Sequence, residues 1–375
     1  MNYTLDARTA TSHFPGIGRY VRNLSKILPE LLTEEESLQL IYTPDGSEWL
    51  QELPPNKNIK PISLPISPFD IAQQWIIPGL LKRIDVDLYH SPYYLMPYRV
   101  PVPPILTVYD LIPLLYPQYS SSRARLIFRF SMSLALRSSQ RTIAISHSTK
   151  DDYLKYFSIP KNSISVIPLG VEDRFHPQAD SEILRIRSKY HLPKKYALYL
   201  GSNKPHKNLS TLVEAWSRII SNNSLDKYKL IVAGSWYENH TEIKNQVAGF
   251  GLNDAILFLG QLPDEDLPGL YSGAHLFMFP SLYEGFGLPV LEAMACGTPV
   301  ACSDIPSLHE TCGEAALFFD PWDIKDISEA ILTLWNNKSI QHSLVSRGLE
   351  QAANFTWEKT AENTIKLYRE TLRER

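Results

Sequence analysis

Cysteine is scarce in this chain of 375 residues, which contains three, Cys296, Cys302 and Cys312. Their odd number and their spacing match neither a disulfide framework nor a common metal-ligand motif. We therefore expect free thiols in a reducing compartment. Long apolar runs are also absent, because no stretch approaches the roughly 20 residues that a membrane-spanning helix needs. The first residues lack the pattern of a secretory signal, so we expect a cytoplasmic protein.

Acidic residues are missing between Leu111 and Lys150, although the whole chain has a net charge of −3. That small net charge argues against a nucleic-acid binder. Two interpretations of the acid-free stretch stay open: a solvated helix face, or a patch that meets anionic lipid headgroups or a phosphorylated acceptor. Its positive charges are Arg123, Arg125, Arg129, Arg137, Arg141 and Lys150.

Short β-rich runs alternate with helical patterns along the whole chain. This alternation favours parallel sheets that are covered by helices on both faces. The runs predict twelve strands, which would be unusually many for one sheet. We therefore predict two doubly wound α/β domains, with a boundary near residues 170–191. The predicted strands lie near residues 3–5, 38–42, 87–91, 105–109, 142–145, 164–167, 197–201, 229–233, 256–259, 276–279, 299–302 and 316–319.

The segment 281–299, SLYEGFGLPVLEAMACGTP, has two carboxylates, Glu284 and Glu292, around a Gly-Phe-Gly turn. It predicts a loop with Glu284, followed by a helix that begins near Leu288 and contains Glu292. The N-terminus of a helix can bind an anion such as phosphate, and a carboxylate accepts hydrogen bonds from sugar hydroxyls. The segment therefore indicates a clamp for a nucleotide sugar. The alternative is that Glu284 caps the helix while Glu292 lies on the surface.

A basic turn, GSNKPHKNL, follows the predicted strand that ends at Leu200. Ser202 lies in the turn, and Lys204, His206 and Lys207 crowd it. A lysine beside a helix start can neutralise the charge that develops on a departing diphosphate, without a metal ion. The alternative is an exposed basic turn with no ligand.

Two motifs in the first half also follow predicted strands. Gly16 and Gly18 precede a helix, as in a dinucleotide fingerprint, but Val21 stands where that fingerprint has glycine. A nicotinamide oxidoreductase is therefore the weaker interpretation. Tyr109 and Asp110 end a central strand, where Asp110 could orient an acceptor hydroxyl or could form an Asx turn.

These segments together resemble a retaining glycosyltransferase of the GT-B fold, in the GT4 family (glycosyltransferase group 1), over essentially the whole length. The landmarks are GIGRY (16–20), TVYDL (107–111), IAISHST (143–149), VIPLGV (166–171), LYLGSNKPHKNL (198–209), VAGS (232–235), FLGQLPDEDL (258–267) and EGFGLPVLE (284–292). The resemblance implies two Rossmann-like domains that face a central cleft. It assigns residues 1–180 to an acceptor-binding domain, 181–355 to a nucleotide-sugar-binding domain, and 356–375 to a helix that crosses back to the first domain.

The resemblance also implies roles for the matching residues. Glu284 would stabilise the charged anomeric centre, Lys207 with His206 would hold the diphosphate, and Glu292 would bind ribose hydroxyls. Further donor contacts would come from Gly16, Gly18, Ser202, Gln261, Leu262, Gly285, Phe286, Gly287 and Leu288.

The chain departs from the family pattern at two positions. Tyr109 stands where many relatives have a histidine beneath the donor sugar, and Ser202 stands where several subfamilies have a phosphate-binding arginine. Because the pKa of tyrosine is about 10, Tyr109 would be a poor base at neutral pH. In the front-side substitution discussed for retaining GT-B enzymes, the leaving phosphate takes the acceptor proton, so no protein base is essential. The replacement of histidine by Tyr109 is therefore tolerable. The candidate catalytic residues are Glu284, Lys207, Asp110 and Tyr109.

We thus expect a hexosyltransferase of polysaccharide biosynthesis that needs neither a metal ion nor a cofactor and uses a nucleotide-diphosphate sugar. The segments TVYDLIPLLYP and HSPYYLMP resemble those of bacterial mannosyltransferases, which implies GDP-mannose as donor and leaves a UDP-sugar as the alternative. The acceptor would be a glycan or a lipid-linked glycan, met at the inner face of the membrane through the arginines of the acid-free stretch. Two other functions stay open: a catalytically silent scaffold subunit and a GT-B sugar-nucleotide epimerase.

Overall fold

Every predicted strand is present in the computed structural model, which describes residues 1–11, 13–55, 58–119, 121–221, 228–238 and 242–374. The chain forms two units, Met1–Gly170 together with Trp357–Arg375, and Val171–Thr356. The first unit therefore ends at Gly170 rather than at the predicted residue 180. Residues 171–179 belong to the second unit because Val171 forms a parallel bridge with Thr356, and its N–H donates to the Phe355 carbonyl oxygen at 3.0 Å.

Among the described residues, the first unit has a seven-stranded sheet with the order β3-β2-β1-β4-β5-β6-β7 and parallel pairing throughout. Its strands are β1 (Asn2–Asp6), β2 (Ser37–Tyr42), β3 (Ile59–Ser63), β4 (Leu88–Ser91), β5 (Pro104–Val108), β6 (Arg141–Ala144) and β7 (Ile164–Val166). The sequence analysis missed β3, which is an edge strand. It contains Pro61 and is mostly exposed, so it lacks the apolar pattern of a buried strand.

The second unit has, in its described part, a six-stranded sheet with the order β10-β9-β8-β11-β12-β13, also parallel. Its strands are β8 (Ala197–Leu200), β9 (Leu230–Ala233), β10 (Ile256–Gly260), β11 (Leu276–Phe279), β12 (Val300–Ser303) and β13 (Ala316–Phe319). Both sheets are doubly wound, because strand order reverses between β1 and β4 in one and between β8 and β11 in the other. The predicted α/β architecture is confirmed.

Helices connect most of the parallel strands, as parallel pairing requires. They are α1 (Pro15–Ile27), α2 (Gln73–Arg83), α3 (Ile112–Leu115), α4 (Ser122–Ser138), α5 (His147–Tyr156), α6 (Asp180–Lys189), α7 (Leu209–Ser221), α8 (Glu242–Gly249), α9 (Leu267–Ser272), α10 (Leu288–Ala295), α11 (Pro306–Cys312), α12 (Ile324–Asn336), α13 (Lys338–Ala352) and α14 (Trp357–Arg373). None of them, in the described ranges, is long and apolar enough to cross a membrane. The three cysteines are free and buried.

The last helix, α14, packs against the first sheet. Its Tyr368 hydroxyl lies 2.6 Å from Nδ1 of the buried His90, whose Nε2 lies 2.7 Å from the Thr107 hydroxyl. Burial lowers the pKa of His90 to about 3, so the ring stays neutral. Arg369 donates to both carboxylate oxygens of Glu36 at 2.9 and 2.6 Å. These polar contacts fix the helix on one face of the sheet.

Glu36→Gln should lower the free energy of unfolding of the first unit by about 2 kcal/mol, the usual scale for a hydrogen bond to a charged group. The Arg369 guanidinium outweighs burial and lowers the pKa of Glu36 from 4.5 to about 2. A carboxyl group whose pKa is lower in the folded state contributes stability above the unfolded pKa, and loses it as the pH falls through the folded value. The wild type should therefore lose stability between pH 4.5 and 2 more steeply than the variant.

Urea unfolding at several pH values measures this difference. Glu34→Gln, at an exposed position two residues away, is the control and should behave as the wild type. Equal pH dependence in the wild type and in Glu36→Gln would contradict the role of the ion pair.

Candidate functional site

In the second unit, two neighbouring strands end side by side where the strand order reverses. β8 ends at Leu200 and β11 ends at Phe279, and the two strands are parallel. Their carboxyl ends therefore lie at the same edge of the sheet. Ligands of open α/β sheets bind outside such an edge, at the point of reversal. The loops that follow these two strands contain most of the residues that the sequence predicted as donor contacts.

These two loops bring Lys207 and Glu284 together. The Lys207 Nζ lies 2.6 Å from the Glu284 Oε1, and the two side chains are 21% and 13% exposed. The Lys207 ammonium also lies 5.6 Å from the centre of the Phe279 ring. The N–H of Leu282 donates to the His206 carbonyl oxygen at 2.8 Å, which joins the loops through the main chain. The two predicted catalytic charges of this unit thus form one partly buried ion pair.

The turn before α10 is built on glycine. The N-cap residue of α10 is Gly287, with φ of 107°, and no side chain caps the helix. A Cβ at this position would lie 2.6 Å from Leu308 Cδ2, so a side chain there would force the buried Leu308 side chain to move. Phe286 is buried and packs edge-on against Phe355. The alternative in which Glu284 caps the helix is therefore wrong. Gly285 and Leu288 lie on the two sides of this turn. Their contacts with the donor stay a prediction.

Glu292 lies in the middle of α10 and is 2% exposed. Its Oε2 accepts a hydrogen bond from the buried Tyr271 hydroxyl at 2.9 Å. The alternative that Glu292 is a surface residue is therefore wrong. A buried carboxylate held by a tyrosine is a fixed hydrogen-bond acceptor. Its role in binding ribose hydroxyls stays a prediction.

The basic turn after β8 is held in place by its polar neighbours. The side chain of Asn203 makes two hydrogen bonds to the backbone of Tyr237, at 2.9 and 2.8 Å. The Ser202 carbonyl oxygen accepts a hydrogen bond from the Tyr199 hydroxyl at 2.7 Å. His206 is buried, whereas Lys204 is exposed and lies 4.6 Å over the Tyr237 ring. The alternative of an exposed basic turn thus describes Lys204 but neither His206 nor Lys207.

Gln261 and Leu262 follow β10, two strands away from β8 at the same edge of the sheet. Gln261 is exposed and Leu262 is half-buried. Their predicted contact with the base stays a prediction. Within the described ranges, no cluster of three or more histidine, cysteine or acidic side chains has the geometry to hold a metal ion.

In the first unit, Gly16 and Gly18 lie inside the first turns of α1, because the helix begins at Pro15. The prediction that they precede the helix is therefore wrong, and a proline at the first helical position explains the earlier start. A Cβ on Gly18 would lie 3.2 Å from the Thr9 carbonyl oxygen, whereas a Cβ on Gly16 would meet nothing within 4 Å. Close packing explains why position 18 is a glycine, but it does not explain the glycine at position 16.

Tyr109 and Asp110 come directly after β5. The Asp110 Oδ1 accepts from the Ile112 N–H at 3.2 Å, so the Asx turn that was the alternative is present. The Tyr109 hydroxyl is buried with no hydrogen-bond partner among the described residues, and its ring packs edge-on against Tyr20. Burial raises the pKa of Tyr109 well above its usual range. Tyr109 can therefore donate a hydrogen bond but cannot serve as a base.

Sequence reasoning missed an aromatic group in the loops of the first unit. Phe14 stacks on Phe69 at 5.5 Å, and both rings contact Tyr93, at 5.1 and 6.2 Å. Phe69 is 54% exposed. The three residues follow three different strands, so only the sheet order brings them together. Only Tyr93 comes directly after a predicted strand, so the sequence contained no shared signal for the three rings.

Gly287→Ala should destabilise the second unit by about 1–3 kcal/mol, because alanine would have to adopt a positive φ while its Cβ collides with Leu308. Gly249→Ala is the matched control in the same unit, since that glycine ends α8 with open space around it. Urea unfolding followed by circular dichroism compares the two variants. A loss of stability in Gly249→Ala as large as in Gly287→Ala would refute the steric argument.

Comparisons with known proteins agree with this geometry. The family model "Glycosyl transferases group 1" matches residues 180–351, and "Glycosyltransferase Family 4" matches residues 15–175. O-antigen chain mannosyltransferase B of Escherichia coli is 31% identical over 94% of this chain and 96% of its own length. Sucrose-phosphate synthase from Thermosynechococcus elongatus has a TM-score of 0.80 at 22% identity and covers 100% of both chains. HepE of Anabaena, solved with UDP and glucose, has a TM-score of 0.77 at 18% identity and covers 98% of this chain and 99% of its own. The chain therefore belongs to the group 1 glycosyltransferases of family 4 and has their GT-B fold of two Rossmann-like units.

Proposed function

We propose that this glycosyltransferase transfers mannose from GDP-mannose to a glycan acceptor with retention of configuration. The observation that carries the proposal is the ion pair between Lys207 and Glu284 at the edge where β8 and β11 end. The choice of mannose is supported by the name of the Escherichia coli relative, which is similar over nearly its whole length. The same name supports a growing polysaccharide chain, free or lipid-linked, as the acceptor.

The ion pair suits a reaction in which charge separates. When the bond between the sugar C1 and the diphosphate breaks, negative charge grows on the phosphate oxygens and positive charge grows at C1. Lys207 would stabilise the first charge and Glu284 the second. The acceptor oxygen forms its bond to C1 on the face that the diphosphate leaves, and its proton passes to the departing phosphate oxygen. The products are the mannosylated acceptor and GDP.

The pair also fixes both side chains before the donor binds. An ammonium group has three hydrogen-bond donors, so Lys207 can keep its bond to Glu284 and still donate to phosphate oxygens. Both side chains are mostly buried, which strengthens the electrostatic interaction relative to that in water. A lysine that is already oriented loses less conformational freedom when the diphosphate arrives. This chemistry needs no metal ion, and the absence of a metal requirement is part of the proposal.

Lys207→Ala and Glu284→Ala should each reduce turnover by at least about a hundredfold, the scale of losing one preorganised electrostatic contact. Tyr109→Phe should only weaken transfer, because the raised pKa of its hydroxyl excludes the role of a base. Steady-state rates of GDP release measure these effects. A Tyr109→Phe enzyme as inactive as Glu284→Ala would contradict the mechanism.

Two controls separate chemistry from folding. Lys204→Ala removes the same charge from the same loop but at an exposed position, and it should keep most of the activity. Glu284→Gln retains an acceptor for Lys207 without the negative charge. Thermal melting shows whether each inactive variant is folded, since removing one partner of a buried pair can itself destabilise the protein.

The donor can be identified from ligand-induced stabilisation of the folded protein. A ligand at a hundred times its dissociation constant adds about 2.7 kcal/mol of stability, so GDP should raise the melting temperature more than UDP, ADP or dTDP. GDP-mannose should then release GDP faster when a mannose-terminated oligosaccharide is present. Stabilisation by UDP alone would replace the proposed donor with a UDP-sugar. A sugar epimer that stays attached to the nucleotide would indicate an epimerase, and binding without turnover would indicate a scaffold subunit.

A further inference from the structure

Helix α4 in the first unit exposes large apolar side chains. Leu126, Ile127 and Phe130 are 70%, 53% and 63% exposed, while Phe128 and Met132 on the other side of the helix are buried in the core. Residues that are three and four positions apart share one face of a helix, so the three exposed side chains lie together. A contiguous apolar surface of this kind on a soluble domain usually marks an interaction site.

Positive charges border the same face. Arg123, Arg129 and Arg137 are exposed, and none of them has a hydrogen bond or an ion pair with a described residue. Three other arginines of this unit do have carboxylate partners: Arg8 pairs with Asp6, Arg141 with Glu374, and Arg369 with Glu36. No acidic residue occurs between residues 111 and 150, so α4 itself supplies no carboxylate to these arginines.

A groove of about 330 Å³ lies between α4 and the segment that follows α5. Its lining combines apolar side chains with polar groups, which include two of these arginines. Its lining includes Leu126, Phe130, Tyr156, Ile159, Arg129 and Arg137. The groove therefore combines an apolar surface with cationic groups.

Helix α2 exposes further apolar side chains on this side of the sheet. Its Trp75 is 68% exposed, and Ile71, just before the helix, is 74% exposed. Ile77 of α2 and Phe128 of α4 belong to the same core cluster, so both helices cover the same face of the sheet. Tryptophan is enriched where proteins meet the interface between a membrane and water.

We propose that this face docks on the surface of a bilayer that contains anionic lipid. We call it the lipid face and define it by Arg123, Leu126, Ile127, Arg129, Phe130 and Arg137. Apolar side chains that are bordered by cations are the pattern of helices that lie in the plane of a membrane interface. A nucleic acid would leave the aliphatic side chains without a partner, and a protein partner would have to supply carboxylates for three arginines. The proposal is independent of the donor and of the reaction.

Co-sedimentation of the full chain with vesicles tests the proposal. The protein should bind vesicles of phosphatidylcholine mixed with phosphatidylglycerol and should not bind vesicles of phosphatidylcholine alone. Each arginine near an anionic surface contributes about fivefold in affinity, so the triple change Arg123→Gln, Arg129→Gln, Arg137→Gln should weaken binding about a hundredfold. The triple change Leu126→Ser, Ile127→Ser, Phe130→Ser should abolish the binding that remains at high salt, because salt screens charge but not apolar contact.

The matched control removes three positive charges from the opposite face of the same sheet. This control is the triple change Lys359→Gln, Lys366→Gln, Arg373→Gln, at exposed positions of α14. It should leave vesicle binding unchanged. Circular dichroism and thermal melting show whether each variant is folded. Equal loss in the control, equal binding to neutral vesicles, or no binding to either vesicle would overturn the proposal, the last outcome pointing to a protein partner.

Discussion

Parallel pairing of the strands is the constraint on which the rest of the molecule depends. Because each strand runs in the same direction as its neighbours, every carboxyl end in a sheet lies at one edge, and every loop that follows a strand starts there. The reversal of strand order between β8 and β11 then separates the helices on either side of the two loops. Lys207 and Glu284 meet in the space that this topology creates, although 77 positions separate them in the chain.

The charges of the molecule fall into two groups with different physical settings. In the first group, each charge is held by a partner of opposite sign, as in the pairs of Lys207 with Glu284 and of Arg369 with Glu36. Such pairs orient side chains at the cost of removing them from water. In the second group, Arg123, Arg129 and Arg137 of α4 are exposed and have no carboxylate partner among the described residues. A fixed pair suits a site that must be preorganised, whereas unpaired surface charge suits a partner that brings its own countercharge.

The sequence was sufficient for the strands and for the motifs, but not for the contacts between them. Buried strands such as β11 have continuous apolar runs, and their bounds followed from that pattern. The edge strand β3 has no such run, so it was missed. The burial of Glu292 and the pairing of Lys207 with Glu284 depend on which strands are neighbours, and no local pattern contains that information. The start of α1 was misplaced because the two glycines were given more weight than Pro15.

The bridge between Val171 and Thr356 brings the two ends of the second unit together. The second unit begins and ends at adjacent points, so it is in effect an insertion into the first unit, which is completed only when α14 has been synthesised. The residues that are synthesised last thus complete the unit that is synthesised first. Loss of the final residues by a premature stop or by proteolysis would therefore damage the first unit, at the opposite end of the sequence, and leave the residues around Glu284 intact.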